Sequence, residues 1–440
     1  MAAPRPTVVI CVDHAFVSGG QAKVAIESAL GLAAHGARPI LFAAAAPVDE
    51  RLTKAGVEMV CLDQHDLLGN PSRAAAAVQG TWNLAAARAL ADLLARLPRD
   101  ETIVHVHGWA KALSPSIAAP IRASGLPALY TLHEYFLFCP NGGFYDYQTN
   151  EVCHRTPLSP SCWATHCDSR NYPRKLWRNA RLTVAQRLAR LPEIFSDYVC
   201  ISDYQQQIVG PYLPKRARLH RVSNPIDCEN LGRKSDPATG DVIFVGRLSA
   251  EKGAFLFAEA AARAGLRPAF IGDGPIADEL RTRYPQARFL GWLPPDRVRA
   301  EMRAARALAF PSLWYEGQPL TVLEAKAMGT PIVVSDICAG REEVEDGVGG
   351  LWFSSGDVDS LEAALLRLKD DALVARLSDG AYDAFWRDPP TLDRHVERIL
   401  AVYAEVRERK RVERREECLQ KMALPSPALR EKVASRSEVG

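Results

Sequence analysis

Short apolar segments alternate with longer Ala- and Leu-rich amphipathic segments along most of the chain. In the first half, the predicted strands are Thr7–Val12, Arg38–Phe42, Val57–Leu62, Thr102–His107, Ala128–His133 and Tyr198–Ile201. Helical patterns between them occupy Gln21–His35, Trp82–Leu97 and Pro115–Ser124. Continuous apolar strands separated by helices are typical of a parallel sheet that is covered on both faces. The pattern therefore predicts an α/β fold of the doubly wound, Rossmann-like type.

The same alternation restarts after a polar stretch at 230–240, which indicates a second domain. Its predicted strands are Val242–Val245, Pro268–Ile271, Arg288–Leu290, Ala307–Phe310, Pro331–Val334 and Gly350–Phe353. The predicted organisation is a Rossmann-like domain at 1–223, a linker at 224–240, a second such domain at 241–391, a helix at 392–410 and a charged tail at 411–440. The tail is charged and poor in aromatic residues, and we expect it to be mobile or to depend on a partner for its structure.

One segment of the first domain, 138–192, interrupts the pattern and is rich in Cys, Tyr, Pro and Arg. It carries four of the ten cysteines: Cys139, Cys153, Cys162 and Cys167. Clustered thiols in a reducing compartment favour zinc over disulfides, although only the last two have the close spacing typical of zinc ligands. We therefore expect either a structural zinc site or four free thiols in a packed flap.

The second half of this insertion carries seven basic residues and no acidic ones between Arg170 and Arg190. Apolar side chains, among them Trp177 and Leu182, are interleaved with them. A basic amphipathic helix can bind an anionic membrane surface. A solvated basic face and a site for an acidic glycan acceptor explain the pattern equally well, so the three interpretations stay open.

Composition narrows the functional classes. Of the 440 residues, 48% are hydrophobic and 24% are charged, and the formal net charge is +2, so neither disorder nor a nucleic-acid partner is indicated. The longest uncharged apolar stretch, 39–48, is too short to span a bilayer, and the N-terminus lacks the residue order of a signal peptide. We therefore expect a cytoplasmic protein, with at most a peripheral contact to the inner membrane face.

Two carboxylates lie on a predicted strand–loop–helix segment. The strand ends at Ser312, the loop carries Glu316, and a helix that starts at Pro319 carries Glu324. Free amides at a helix N-terminus attract an anion such as a diphosphate, and flanking carboxylates suit the hydroxyl groups of a sugar and a ribose. A solvated glutamate pair is the alternative, but the position at the carboxyl end of a sheet strand favours a ligand site.

Two cations bracket the loop after the first strand of the second domain. Arg247 and Lys252 follow Val242–Val245, where a guanidinium fork and an ammonium can neutralise a diphosphate. Ion pairs with Glu251 or other surface carboxylates are the alternative, and these residues alone do not decide between the two.

Three further features are each only a weak indication of a ligand site when taken alone. Gly19 and Gly20 lie between the first strand and the next helix, but the third glycine of GxGxxG is missing. Gly272 belongs to a GDGP turn. His133 ends a strand and so faces any crevice between the domains, although a lone histidine is more often structural.

These motifs, in this order, carry a family resemblance. The segments VGRLSAEKG, GDGP, FLGWLPP and YEGQPLTVLEAKAMGTPIVVSD are similar to those of the retaining nucleotide-sugar glycosyltransferases of family 4, whose GT-B fold has two Rossmann-like domains facing a central cleft. Glu316 and Glu324 match its E-x7-E spacing, and Arg247 and Lys252 match R-x4-K. The resemblance covers about 7–400 and is looser in the first domain, where SGGQ, HVHGW and TLHEY match.

The resemblance implies a role for each matching side chain. Arg247 and Lys252 would hold the donor diphosphate, and Glu324 would bind the nucleotide ribose. Glu316 would contact hydroxyl groups of the donor sugar, and His133 would touch the sugar near the reacting centre.

The resemblance also implies the substrates and the stereochemistry. Gly19 and Gly20 would approach the phosphates from the first domain, and Gly272 would line the nucleotide site. The expected donor is a UDP- or GDP-sugar, and the expected acceptor is a glycan or a lipid-linked molecule in cell-surface polysaccharide synthesis. We expect retention by front-face attack, with the diphosphate accepting the acceptor's proton and no metal required for the chemistry.

Three other interpretations are weighed against transfer. Another GT-B sugar-nucleotide enzyme, such as an epimerase or a phosphorylase, and a non-catalytic GT-B scaffold would share the fold. The pairs Glu316/Glu324 and Arg247/Lys252 favour transfer over both. An NAD-dependent dehydrogenase is disfavoured because the GxGxxG fingerprint is missing.

Overall fold

The computed structural model describes residues 6–423, which form two parallel β-sheets flanked by helices. The strands of the first domain are β1 (Thr7–His14), β2 (Arg38–Ala45), β3 (Glu58–Cys61), β4 (Thr102–Val106), β5 (Ala128–Leu132), β6 (Tyr145–Asp146), β7 (Glu151–Val152), β8 (Asp197–Cys200) and β9 (Arg218–Arg221). Seven of them form a sheet in the order β3-β2-β1-β4-β5-β8-β9, whereas β6 and β7 form a small antiparallel hairpin within the insertion.

Helices cover both faces of this sheet, whose inner strands are almost entirely buried, whereas the edge strands β3 and β9 are half-buried. They are α1 (Gly20–Ala34), α2 (Glu50–Lys54), α3 (Arg73–Thr81), α4 (Leu84–Ala95), α5 (Ala118–Ser124), α6 (Pro160–Ala164), α7 (Tyr172–Thr183) and α8 (Asp203–Val209). A strand buried on both faces is a continuous apolar run, which is why the sequence pattern located these strands.

The second domain repeats this architecture. Its strands are β10 (Val242–Val245), β11 (Pro268–Ile271), β12 (Arg288–Gly291), β13 (Ala307–Phe310), β14 (Ile332–Ser335) and β15 (Gly350–Phe353), in the order β12-β11-β10-β13-β14-β15. Its helices are α9 (Ala254–Arg263), α10 (Ala277–Arg283), α11 (Pro295–Ala304), α12 (Leu320–Ala327), α13 (Val358–Arg367) and α14 (Asp371–Arg387).

The final helix, α15 (Leu392–Ala423), returns to the first domain. Val396 and Tyr403 are buried in the core between β1 and α1, and Arg409 pairs with Asp197 of β8. The helix was expected to end near residue 410, but the described part of the tail continues it to Ala423. The rest of the predicted mobile tail, 424–440, lies outside the described residues.

The strand order of each sheet reverses next to its first strand. In the first sheet β1 lies between β2 and β4, and in the second sheet β10 lies between β11 and β13. In open parallel sheets, ligands bind at such switch points, beyond the carboxyl ends of the strands. The fold therefore places two potential binding crevices, and the motif-bearing loops follow the strands that line them.

Candidate active site

Glu316 is the most constrained side chain at the carboxyl end of the second sheet. It has a positive φ of 50° and is 9% exposed. Its Oε1 atom accepts hydrogen bonds from Lys252 Nζ at 2.5 Å, from Ser312 Oγ at 2.5 Å and from Trp314 Nε1 at 2.8 Å. These donors hold the carboxylate in one orientation beside the ammonium group.

The R-x4-K loop follows β10 directly. Lys252 reaches Glu316, and its ammonium lies 5.3 Å from the centre of the Trp314 ring. Glu251 accepts a hydrogen bond from Ser249 at 2.7 Å, and among the described residues it forms no ion pair with Arg247 or Lys252, which pairs with Glu316 instead. Arg247 is exposed and makes no side-chain hydrogen bond or ion pair with any residue in 6–423. Its guanidinium is therefore available to an anion at this strand end.

Glycines let the neighbouring loops pack closely around these cations. Gly272, after β11, has a φ of 129°, and a side chain there would collide with the Gly246 carbonyl oxygen. Gly253 has a φ of 71°, and a side chain there would collide in the same way with the Pro311 carbonyl oxygen. Gly272 thus supports the loop that carries Arg247, since any side chain would push the two loops apart.

Glu324 lies on α12 and faces the first domain. Pro319, expected as the first residue of this helix, instead caps it. Glu324 Oε1 is 3.6 Å from Lys23 Nζ on α1. Burial raises the pKa of Glu324, and the charge of Lys23 partly offsets this effect.

The glycine pair at the start of α1 lies across the cleft from α12. Gly19 precedes the helix, and a side chain at Gly20 would contact Leu320 in the first turn of α12. The first turns of the two helices therefore face each other. Gly19, Gly20, Glu316 and Glu324 are thus brought to one crevice.

His133 belongs to a histidine pair at the carboxyl end of the first sheet. Its Nε2 atom is 2.9 Å from Nδ1 of His107, and the two rings are stacked with centres 5.1 Å apart. Burial, together with the charges of His395 and Lys111, lowers the pKa of His133 to about 3. The ring is therefore neutral near pH 7 and can act through hydrogen bonds rather than as a cation.

An aromatic seam, formed by Tyr135, Phe144 and Tyr204 of the first domain and Tyr315 of the second, closes one side of the cleft. The ring centre of Tyr315 lies 5.9–6.4 Å from those of the other three. The Tyr135 hydroxyl donates to the Glu316 carbonyl oxygen at 2.6 Å. Sequence reasoning missed this seam, although Tyr135 ends the TLHEY motif and Tyr315 begins the YEG motif.

Glu134, next to His133, was also missed. One of its carboxylate oxygens, Oε1, is buried without a hydrogen-bond partner among the described residues. Burial raises the pKa of Glu134 to about 7. The negative charge of Asp13 adds to this rise, whereas the positive charges of Lys111 and Arg181 oppose it. The first-domain side of the cleft thus holds a carboxyl group that titrates near neutral pH.

The four insertion cysteines form no metal-holding group among the described residues. Cys162 Sγ accepts from Lys175 Nζ at 3.3 Å, and Cys167 Sγ accepts from Asn141 Nδ2 at 3.1 Å. Within 6–423, no three His, Cys, Asp or Glu side chains form a group that could hold a metal ion. The zinc site at Cys139, Cys153, Cys162 and Cys167 is therefore not confirmed and stays a prediction.

The basic stretch at 170–190 is not one exposed face, and the three interpretations of it stay predictions. Lys175 is fully buried, and Arg181 is buried with its guanidinium 4.9 Å from the centre of the Trp177 ring. Arg178 pairs with the buried Asp168 at 3.1 Å. Half of α7 therefore anchors the insertion to the domain. In the described part of the chain, no helix is both long and apolar enough to cross a membrane.

Comparison with known families decides what kind of protein contains this cleft. The family model described as Glycosyltransferase Family 4 matches residues 18–230, and that described as Glycosyl transferases group 1 matches residues 239–371. The chain belongs to glycosyltransferase family 4. Both matched segments contain cleft residues, so the family 4 assignment and the geometry concern the same site.

The relatives of this family 4 member match it over only part of their own sequences. An Escherichia coli protein named UDP-Gal:alpha-D-GlcNAc-diphosphoundecaprenol alpha-1,3-galactosyltransferase is 32% identical over 30% of this chain and 38% of its own length. The D-inositol 3-phosphate glycosyltransferase of Acidothermus cellulolyticus is 34% identical over 37% and 40%, respectively. The matches thus span less than half the length of these curated relatives.

Solved structures show the GT-B fold over nearly the whole chain. Anabaena Alr3699/HepE, solved with UDP and glucose, has a TM-score of 0.65 and 16% identity, covering 91% of this chain and 100% of that one. Sucrose-phosphate synthase from Thermosynechococcus elongatus has a TM-score of 0.67 and 17% identity, covering 91% and 99%. The predicted fold class, two Rossmann-like domains facing a cleft, is confirmed.

Proposed function

We propose that this family 4 protein transfers a sugar from a nucleoside-diphosphate sugar to a glycan or lipid-linked acceptor, with retention of configuration. The observation that carries the proposal is the exposed Arg247 at the end of β10, which has no side-chain partner in the described part of the chain and lies beside a Lys252 that is held by Glu316. A diphosphate is the ligand that this pair of cations fits. The name of the Escherichia coli relative and the UDP complex of the Anabaena protein support the same donor class.

The main task of the protein is to stabilise the departing nucleoside diphosphate. Glycosyl transfer passes through an oxocarbenium-like transition state, so negative charge develops on the leaving group. Arg247, Lys252 and the free amides at the start of α12 would stabilise that charge in place. Glu316 would orient Lys252 and accept hydrogen bonds from the donor sugar.

The acceptor would react on the face that the leaving group vacates. A diphosphate oxygen would take the acceptor's proton, and neutral His133 would hydrogen-bond to the sugar. Glu324 would bind the ribose, displacing its weak contact with Lys23. We propose a UDP- or GDP-sugar as the donor, cell-surface polysaccharide synthesis as the pathway and the cytoplasm as the compartment.

Nucleotide binding and turnover of single variants test this assignment. Glu324→Ala should weaken the binding of UDP or GDP measured by calorimetry, because it removes the ribose partner. Glu316→Ala should lower turnover of the full donor far more than it weakens nucleotide binding, because its own proposed partner is the donor sugar. Glu362→Ala, a half-exposed glutamate on α13 outside the cleft, is the matched control.

The contrary results are equally specific. Equal nucleotide affinity in the wild type and Glu324→Ala would contradict the ribose assignment. Nucleotide binding without transfer or hydrolysis of any donor, in a panel of sugar nucleotides offered with glycan and polyprenyl-phosphate acceptors, would instead favour the non-catalytic scaffold.

A further inference from the structure

A second charged hollow lies far from the cleft, at the amino ends of the first-sheet strands. It has a volume of about 310 Å³ and lies between the C-terminal end of α5, the turn before β8, the segment before β9, and α15. Because all strands of this sheet are parallel, their amino ends lie at the edge opposite the cleft. The hollow is therefore separate from the donor and acceptor surfaces.

Positive charge dominates its lining. Four cations, Arg122, Arg190, Arg216 and Lys410, surround a single carboxylate, that of Glu193. Arg190 Nε donates to this carboxylate at 2.7 Å, so it is already neutralised. Arg122, Arg216 and Lys410 are the other cations of the lining, which holds no carboxylate besides that of Glu193.

The two arginines opposite Arg190 are held in place but not neutralised. Arg122 Nη1 donates to the Ala189 carbonyl oxygen at 3.1 Å, and Arg216 donates to the Glu193 carbonyl oxygen. In the described chain each makes only this one side-chain hydrogen bond, which leaves further N–H groups of both guanidinium forks free.

The helix α15 completes the rim. Lys410 lines the hollow and pairs with Glu413 on its outer side at 3.1 Å. One turn further, Arg414 donates to the carbonyl oxygen of Gly125, which also lines the hollow, at 2.8 Å. Ile121 and Leu126, both buried, form an apolar base. A concave site with several convergent, positioned cations is typical of phosphate recognition, because guanidinium forks match phosphate oxygens in pairs.

We propose that this hollow binds a phosphate group, carried either by a soluble phosphate ester or by a lipid headgroup. Such a ligand would bridge α15 to α5 and to the segments before β8 and β9. The proposal does not depend on the proposed transfer reaction, since none of its residues contacts the cleft.

The test compares two double variants of equal net charge. Arg122→Gln/Arg216→Gln removes the unneutralised forks, and Arg367→Gln/Arg376→Gln removes two exposed arginines from the outer helices of the second domain. Both are made in an Arg247→Ala/Lys252→Ala background, so that a phosphate probe cannot report on the cleft. The probes are inorganic pyrophosphate, measured by calorimetry, and vesicles of phosphatidylcholine with or without phosphatidic acid, measured by sedimentation. Thermal unfolding confirms that each variant folds.

The outcomes separate the sources of phosphate. Loss of binding of roughly tenfold or more in Arg122→Gln/Arg216→Gln, with the control pair unchanged, supports the site. Binding of pyrophosphate alone identifies a soluble ligand, and binding of phosphatidic acid vesicles alone identifies a headgroup. If neither probe binds, or if the control pair loses as much binding as Arg122→Gln/Arg216→Gln, the proposal is overturned.

Discussion

The ion pair between Lys252 and Glu316 joins two residues whose expected roles differ. At 2.5 Å, each side chain orients the other, so neither acts independently. Mutations of residues that act as a unit are strongly non-additive. This coupling distinguishes a shared catalytic arrangement from two separate contacts with the donor.

We therefore expect Lys252→Ala and Glu316→Ala each to raise the barrier of transfer by about 2–4 kcal/mol, and the double variant to lose little more. Arg247→Ala should raise the barrier by a similar amount, and this effect should be additive when Arg247→Ala is combined with Lys252→Ala or with Glu316→Ala. Steady-state kcat/KM values for the singles and doubles measure the coupling. Additive losses for Lys252 and Glu316 would contradict the paired arrangement.

Glu134 should make stability depend on pH. Its pKa is raised to about 7, so the folded state holds the proton more tightly than the unfolded chain does. Stability should therefore be highest below the unfolded pKa, near 4.5, and should fall as the pH rises to about 7. The group that would ionise lies among Lys111, Arg181 and Asp13.

Glu134→Gln should reduce this decline, by on the order of 3 kcal/mol for a shift of this size. Denaturant unfolding of the wild type and the variant between pH 4.5 and 7.5 measures the difference. Glu151→Gln, in the exposed hairpin of the insertion, is the control. Parallel pH profiles for wild type and Glu134→Gln would contradict the raised pKa, because they would mean that Glu134 has the same pKa in the folded and unfolded states.

At the scale of elements, α15 is attached to the first sheet through a buried carboxylate. Asp197 of β8 is fully buried, which raises its pKa, but hydrogen bonds from His220, Ser196 and Arg409 outweigh burial and lower the pKa overall. A carboxyl with a lowered pKa stabilises the fold above its unfolded pKa, and this contribution is lost as the pH falls through the folded pKa.

Arg409→Gln should lower the free energy of unfolding by about 1–3 kcal/mol at pH 7, because it removes a charged donor from Asp197. The difference from wild type should shrink in acid, once Asp197 is protonated. Arg411→Gln, on the same helix and 56% exposed at the side chain, should change stability little. A difference that is constant between pH 7 and pH 3 would show that Arg409 acts through packing instead.

Most elements could be predicted from sequence because the strands are buried on both faces. The strand β9 was missed since its sequence, Arg218–Arg221, is polar and only half-buried at the sheet edge. The end of α15 was placed too early because the charged sequence after residue 410 lacks an apolar stripe. A hydrophobic pattern detects burial, and neither element owes its structure to burial alone.

The residues of the candidate site also fall into those that local sequence could locate and those that it could not. Arg247, Lys252, Glu316 and Glu324 could be located from their spacing after strands, which is local information. Lys23, Tyr135 and His107 could not, because their contacts depend on how loops or domains meet in space. Their roles in the site remain invisible until the two sheets are placed together.

On the scale of the whole molecule, the aromatic seam joins the two domains beside Glu316. The Tyr135 hydroxyl bonds to the backbone of Glu316, so it stabilises the closed arrangement without contacting a side chain of the site. One neutral hydrogen bond contributes about 1 kcal/mol, which is roughly fivefold in an open–closed equilibrium.

Tyr135→Phe should therefore shift the protein towards open forms, with a larger radius of gyration in small-angle scattering and a higher donor KM. Tyr130→Phe is the control, because the Tyr130 hydroxyl is buried without a partner in the described chain. An unchanged radius and KM in Tyr135→Phe would show that other contacts alone keep the cleft closed.

The return of α15 also determines how the cleft can open. The chain passes between the domains twice, and the two passages touch, since the amide of Ile226 donates to the Pro390 carbonyl oxygen at 2.8 Å. Beside them, the Asn224 amide donates to Gln318, two residues from Glu316, at 2.8 Å. We expect these two adjacent chain segments to act as a hinge, which permits the cleft to open in one direction and resists rotation of one domain against the other. We therefore expect the loop that carries Glu316, which adjoins this hinge, to move less on opening than the far edge of the cleft.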